Sequence, residues 1–469
     1  SDRLLTLLAP LGDLYLRSEW VQALGGAAAR TAERLGAWPA RERRRRLALA
    51  RALALAHAAQ PAVQGRVLLV NLGLSAGGAE RQILATLTGL AAAGIEPRVE
   101  SATLLVSALP ADGSRSFYLP EARRLAVALA EIGAGPDSAP ALSPERARAE
   151  AAVLAYLPAK LARLAGELRR EFAWRRPQVV HAWQDSTAIA AGVAGLLAGV
   201  PRIVLGARNM APPAFLYWRP CLRPWYRVLA EFPGVALVNN SAAGAADYAR
   251  WLGLAPGRIQ VIRNGFALEG QLARTSAAEV ASLRRAIGGP EGAPLVGSIF
   301  RYWPEKRPLL WARMAAAVAR ARPAAPFALL GWGPLQRALE TLARRLGLGP
   351  RLHLLPAEAD IARLLSALDV FVLTSRAEGT PNVILEAQYL GVPVVTTQAG
   401  GAAECVADGV SGWVDRTDTP DAIGSLVLRA LADPDARARA AEHGPRLVRS
   451  RFGQARMIAE TLAVYGLGR

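Results

Sequence analysis

The chain has 469 residues, a formal charge of +18, 52% apolar and 20% charged residues, a globular composition with ample material for a core. Two cysteines, Cys221 and Cys405, exclude a disulfide-built scaffold and fit a reducing compartment. The longest uncharged runs, such as Ser186–Pro201, fall short of the roughly 18–20 residues of a spanning helix, and no secretory signal pattern opens the chain; the expected location is cytoplasmic.

Of the 56 basic residues only Lys160 and Lys306 are lysine. Where Arg serves almost everywhere, a surviving Lys is a candidate for a position that wants a compact point charge. Most of the excess positive charge lies before residue 276, which points to an acidic substrate or an anionic membrane face. Nucleic acid is not an expected partner: there is no zinc-finger spacing, no arginine-glycine repeat and no aromatic single-strand signature.

In chain order, residues 1–65 read as a helical N-terminal extension. The basic run Arg41–Arg46 leads into an Ala/Leu-rich stretch, either a solvated face or a contact with lipid headgroups. From Arg66 short apolar runs alternate with helical stretches. Arg66–Leu74, Gln178–Trp183, Arg202–Arg208, Val235–Asn240 and Ile259–Asn264 read as strands, and Ala79–Ala93 as a helix. Phe215–Phe232 interleaves aromatic residues with Arg; it suits a membrane interface or packs on its own domain. The second half repeats the texture, with strands at Pro294–Phe300, Pro326–Gly331, Arg351–Leu355, Val370–Thr374 and Val392–Thr397. Helices are predicted at Arg307–Arg322, Pro334–Leu346, Asp360–Leu368 and Pro381–Leu390. The pattern predicts an α/β protein of two βαβ domains, with parallel sheets that bind ligands at the carboxyl ends of their strands. The expected segments are 1–65, 66–275, 276–450 and a C-terminal helix in 451–469.

Three clusters could carry chemistry. Glu378-Gly379-Thr380-Pro381-Asn382 and Glu386 follow the strand at 370, with Thr380 a plausible N-cap and Pro381 in the first helical position. A helix N-terminus at the sheet's carboxyl edge is an anion site, and Glu386, inside the helix, needs hydrogen-bond donors of the kind sugar hydroxyls supply. Arg301 and Lys306 follow the strand at 294 on a loop, two cations suited to a diphosphate leaving group. Gly77-Gly78-Ala79-Glu80-Arg81 joins the first strand to its helix; its glycines permit close approach of a ligand, and it is not the dinucleotide fingerprint. No Asp-x-Asp or histidine cluster suggests a metal.

Together with Gly331-Trp-Gly333-Pro334, Gly400-Gly401-Ala-Ala-Glu404 and Arg263-Asn-Gly265, these clusters resemble the retaining, nucleotide-sugar-dependent glycosyltransferases of family 4, over about residues 66–465. The resemblance implies a GT-B fold of two facing Rossmann-like domains with a deep cleft. It implies that Arg301 and Lys306 hold the donor diphosphate, that Glu386 bonds the ribose and Glu378 the transferred sugar, that the backbone of Gly379–Asn382 and the turn at Gly333 border the donor, and that Leu355 and Pro356 face the base. The N-terminal domain would bind the acceptor, a glycan or lipid-linked sugar, with Gly77, Gly78, Glu80, Arg81, Trp183, Asp185, Arg208 and Asn209 around it, and His181 in a catalytic role. The motif here reads His181-Ala-Trp183, so Trp183 stands where many relatives have a second histidine. No cofactor is implied beyond the nucleotide-sugar donor, with UDP favoured. A sugar-nucleotide epimerase of similar architecture and a non-catalytic sugar-nucleotide-binding protein stay open.

Overall fold

The structure is a computed structural model and describes residues 38–55, 61–92, 101–107, 116–133, 142–215, 221–266, 275–288, 290, 292–356 and 359–467. The chain divides into two compact units. One ends at Phe266 and resumes at Gln454; the other ends at Gly453.

The first unit is built on a seven-stranded parallel sheet: β1 (Val63–Val70), β2 (Ser101–Val106), β3 (Ala128–Glu131), β4 (Pro177–Trp183), β5 (Arg202–Ala207), β6 (Val235–Asn239) and β7 (Ile259–Val261), in the order β3-β2-β1-β4-β5-β6-β7. The central strands are buried nearly throughout, which is why they read as continuous apolar runs. The second unit has a six-stranded parallel sheet: β8 (Val296–Ile299), β9 (Phe327–Leu330), β10 (Leu352–Leu355), β11 (Val370–Leu373), β12 (Val394–Thr397) and β13 (Gly412–Asp415), in the order β10-β9-β8-β11-β12-β13. In each sheet strand order reverses once, between β1 and β4 and between β8 and β11. Crossovers leave opposite faces there and open a crevice at the carboxyl ends of the strands.

Several expectations are refined. The helix Trp38–Ala54, within the predicted N-terminal extension, docks on the first unit: Leu49 and Ala52 lie in its core. Glu42 pairs with Arg227, and the Arg45 guanidinium sits over the rings of Tyr156 and Trp225. A fully buried Leu contributes about 1.5–3 kcal/mol, enough to dock a helix whose other face is basic. Residues 1–37 lie outside the described residues. The first strand begins at Val63, ahead of the predicted Arg66.

The aromatic stretch packs on its own domain. Its helix Leu222–Leu229 buries Trp225, Tyr226, Val228 and Leu229, so these rings are not at a membrane interface; residues 216–220 lie outside the described residues. The last helix, Gln454–Tyr465, packs against the helix Gly78–Ala92, with Ile458 pressed so close to Gly89 that a Cβ there would meet it at 2.6 Å. Its N-terminus is received by Phe266, whose carbonyl accepts from the Gln454 N–H.

Candidate functional site

In the second unit the crevice between β8 and β11 gathers the predicted donor residues. After β8 the backbone runs through Arg301 to a short 3-10 turn, Pro304–Lys306. After β11 it runs through Thr374 and Ser375 to Glu378. Lys306 Nζ donates to Glu378 Oε1 at 2.5 Å, and the Ser375 hydroxyl donates to the same oxygen at 2.6 Å. Glu378 is 4% exposed and Glu386 3%. A carboxylate so enclosed is tolerated because it is paired and hydrogen-bonded. The Glu378 carbonyl accepts from the Gly401 N–H at 3.1 Å, which gives the Gly400-Gly401 motif a structural task. Arg301 is exposed, its guanidinium 5.7 Å from the Trp303 ring centre.

A residue the sequence reading did not single out fixes this arrangement. Arg307 donates to the carbonyls of Thr374 and Ser375 at 2.7 and 2.8 Å and to both carboxylate oxygens of Asp418 at 2.7 Å. The Thr374 hydroxyl donates back to the Lys306 carbonyl, and the Arg376 N–H to that of Glu305. These bonds sew the Lys306 loop to the end of β11. Arg307 holds φ +53, a left-handed conformation uncommon outside glycine, so its side-chain bonds offset a local backbone cost.

The other donor-side predictions are placed as follows. Gly379, Thr380 and Pro381 are buried in the loop that enters the helix Asn382–Tyr389. Pro381, not Thr380, holds the N-cap position; its ψ of 113° keeps it outside the helix, and no side chain caps the end. The turn at Gly331 and Gly333 lies directly on the Arg301 loop. A Cβ on Gly331 would meet the Phe300 carbonyl oxygen at 2.1 Å, and one on Gly333 the Tyr302 carbonyl oxygen at 2.7 Å. Leu355 and Pro356 stand at the end of β10, two strands from β8, which is about 10 Å across the sheet.

In the first unit the predicted acceptor-side residues divide. Glu80 is buried and accepts from the Ser75 hydroxyl at 3.1 Å and from Gln184 Nε2 at 3.3 Å. Gly77 makes room for it: a Cβ there would lie 2.1 Å from Glu80 Oε2. Gly78 opens the helix Gly78–Ala92 and is exposed, and Arg81 lies over the Phe266 ring. Gln184, at the end of β4, has φ +68 and ψ 146, a region that costs a non-glycine residue about 1–3 kcal/mol.

His181 is 1% exposed, its Nδ1 3.0 Å from the Tyr465 hydroxyl. Burial, and then the Arg208 cation, hold its pKa down at about 3. Asp185 is not an open carboxylate: Tyr226 and Tyr248 both donate to its Oδ1, at 2.8 and 2.7 Å, and burial raises its pKa. Arg208 stacks on Trp183 with its Cζ 4.0 Å from the ring centre and donates to Asn264 Oδ1; burial lowers its pKa to about 9, so it remains a cation at neutral pH. Asn209 Oδ1 accepts from the Met210 N–H, closing a local turn. The Arg263-Asn264-Gly265 motif holds the last helix: Arg456 donates to the carbonyls of Arg263 and Asn264, and a Cβ on Gly265 would meet Met457 at 2.6 Å.

The family described as Glycosyltransferase Family 4 matches residues 76–269, and the one described as Glycosyl transferases group 1 matches residues 280–447. The chain belongs to glycosyltransferase family 4. Among its relatives are the Vi polysaccharide biosynthesis protein VipC/TviE of Salmonella typhi, 32% identical over 75% of this chain and 62% of that protein, and the UDP-Gal:alpha-D-GlcNAc-diphosphoundecaprenol alpha-1,3-galactosyltransferase of Escherichia coli, 28% identical over 54% of this chain and 66% of that one. The chain thus spans less than two thirds of the length of these relatives. The crystal structure of Anabaena Alr3699/HepE in complex with UDP and glucose superposes with a TM-score of 0.67 over 85% of this chain and 100% of that one, at 22% identity. That likeness establishes the GT-B type of fold for this family 4 chain. Among the described residues no helix is long and apolar enough to cross a membrane.

Proposed function

We propose that this chain is a retaining glycosyltransferase that moves a sugar from a UDP-sugar to a glycan or lipid-linked acceptor in bacterial surface polysaccharide or lipopolysaccharide synthesis. The observation that carries this reading is the Lys306–Glu378 pair at the β8/β11 switch point. The names of the polysaccharide and lipid-linked relatives support the substrate class, and the UDP in the Anabaena structure supports the base.

Breaking the bond between the sugar's anomeric carbon and the diphosphate leaves a nucleoside diphosphate anion and an oxocarbenium-like sugar. The chemical task is to stabilise both and to exclude water. In this reading Lys306 and Arg301 take the diphosphate, and Glu378, released from Lys306 as the anion arrives, accepts a hydroxyl of the sugar. Glu386 takes the ribose, and no metal is required. The exposed Arg43, Arg44, Leu47 and Arg51 on the helix Trp38–Ala54 support work at an anionic cytoplasmic membrane face; flotation with phosphatidylglycerol vesicles checks this, and salt-insensitive or absent binding refutes it.

The test of the main reading is calorimetric titration of UDP, GDP and ADP, with chelator present, into wild type and Lys306→Ala. Binding of UDP that weakens at least about tenfold in the variant is expected; binding of none of the three refutes the donor site. Product analysis with a UDP-sugar then separates a glycoside from an epimerised sugar nucleotide.

A further inference from the structure

We infer that Gln184 is a hydroxyl-recognising residue of the acceptor site, presenting its side-chain carbonyl oxygen outward because buried Glu80 holds its amide nitrogen. This deepens the transferase reading and rests on it.

Three observations carry the inference. First, Gln184 directly follows β4, which lies beside β1 at the reversal of strand order in the first sheet, where such folds take ligands. Its backbone is in a region essentially reserved for glycine. The backbone role needs no side chain: its N–H donates to the Gly206 carbonyl at 3.0 Å and its carbonyl accepts from Ala188 at 2.8 Å. Glycine would make both bonds without strain, so what the strain retains is the glutamine side chain.

Second, the side chain is oriented by chemistry. The bond runs from Gln184 Nε2 to Glu80 Oε1, an oxygen that also accepts from the Ser75 hydroxyl, so the amide group facing Glu80 is the NH2. Oε1 therefore points the other way, and Gln184 is an exposed residue. A carbonyl oxygen offered to the crevice selects a hydrogen-bond donor, and on a sugar that donor is a hydroxyl.

Third, the tether is built. Glu80 is buried, its carboxylate also takes the Ser75 hydroxyl, and Gly77 leaves the space it fills. The loop of Ser75, Gly77 and Glu80 and the end of β4 thus cooperate to set one amide. Glu80 is a positioning residue, acting through Gln184.

The probes are octyl α- and β-glucosides, galactosides and mannosides, titrated by saturation-transfer NMR in the presence of UDP. UDP affinity is measured first and tests the donor reading by itself. For Gln184→Gly, UDP affinity should stay within about twofold of wild type while glycoside affinity falls at least about tenfold, since a site built to bond a hydroxyl discriminates strongly. Among monodeoxy glycosides, one should bind wild type weakly and bind the variant as well as its parent does. Glu80→Gln, which no longer dictates which way the Gln184 amide faces, should weaken glycoside binding several-fold with UDP unaffected. Two results overturn the inference: a Gln184→Gly protein that binds the glycosides like wild type, or a wild type that binds UDP and none of the glycosides.

Discussion

Lys306 and Glu378, 72 residues apart in sequence, form an ion pair of 2.5 Å across the crevice between the ends of β8 and β11. The pair explains how a buried carboxylate and a cation coexist, since each neutralises the other. In the proposed function an incoming diphosphate would exchange one anion for another at Nζ.

Removing one member exposes the pairing. Lys306→Ala leaves the Glu378 carboxylate enclosed with the Ser375 hydroxyl as its partner among the described residues, and should lower stability by about 3 kcal/mol, the lower end for a broken buried pair because Lys306 keeps some exposure. Glu378→Gln should preserve UDP binding and cut sugar transfer by roughly 10²–10³. Thermal unfolding and calorimetry check both, and the double variant should be less destabilised than the sum of the two single variants, since the members share one interaction.

Arg307 should matter through position. Lys cannot reproduce its fork of bonds to Thr374, Ser375 and Asp418. Arg307→Lys is expected to lose about 1–3 kcal/mol of stability and to raise the UDP dissociation constant several-fold with little change in transfer at saturation. A UDP affinity equal to wild type would show that Lys306 needs no such staple.

The acid behaviour of the first unit should carry the mark of His181. Its folded pKa of about 3 lies below the unfolded value of 6.5, so between these limits the unfolded chain binds the extra proton. The neutral form's stability is intact above about pH 6.5 and is lost as pH falls toward 3, at up to about 1.4 kcal/mol per pH unit. Asp185, with its raised pKa, acts in the opposite sense, but it is common to both proteins in a comparison. Unfolding of wild type and His181→Gln from pH 7.5 to 4.5 should therefore show the shallower loss in the variant. Because His181 stays neutral across that range, it should contribute no inflection near pH 6.5 to the rate profile.

What the sequence made legible was what it encodes locally. β1, β4, β8 and β11 are short apolar runs, and that pattern gave the parallel sheets and the expectation of ligands at their carboxyl ends. β3, Ala-Leu-Ala-Glu, has no strand signature and becomes one only by pairing with β2. The Arg307 staple, the Glu80–Gln184 tether and the His181–Tyr465 contact join residues 68, 104 and 284 positions apart. Nothing in the local pattern distinguishes Arg307 from its many sister arginines. The aromatic segment ending at Phe232 left two readings open because Trp and Tyr beside Arg look alike at a membrane and in a core; burial of Trp225 and Tyr226 decided for the core.

The turn at Gly331 offers the sharpest steric test. β8 and β9 run side by side to Ile299 and Leu330, and the next backbone bond, Phe300 N–H to the Leu330 carbonyl, brings the two loops together. A methyl group on Gly331 would stand 2.1 Å from the Phe300 carbonyl oxygen. The clashing atom is backbone in a packed sheet end, so it cannot swing aside as a side chain would. Relief requires the Phe300–Tyr302 strand extension to shift, and Arg301 shifts with it. Gly331→Ala should cost more than about 2 kcal/mol, as steric misfits in packed sites do, and should weaken UDP binding more than Arg301→Ala alone, because the neighbouring Lys306 loop is displaced as well. Calorimetry on both variants settles the order; equal or weaker loss in Gly331→Ala would mean that the turn yields without moving the cations.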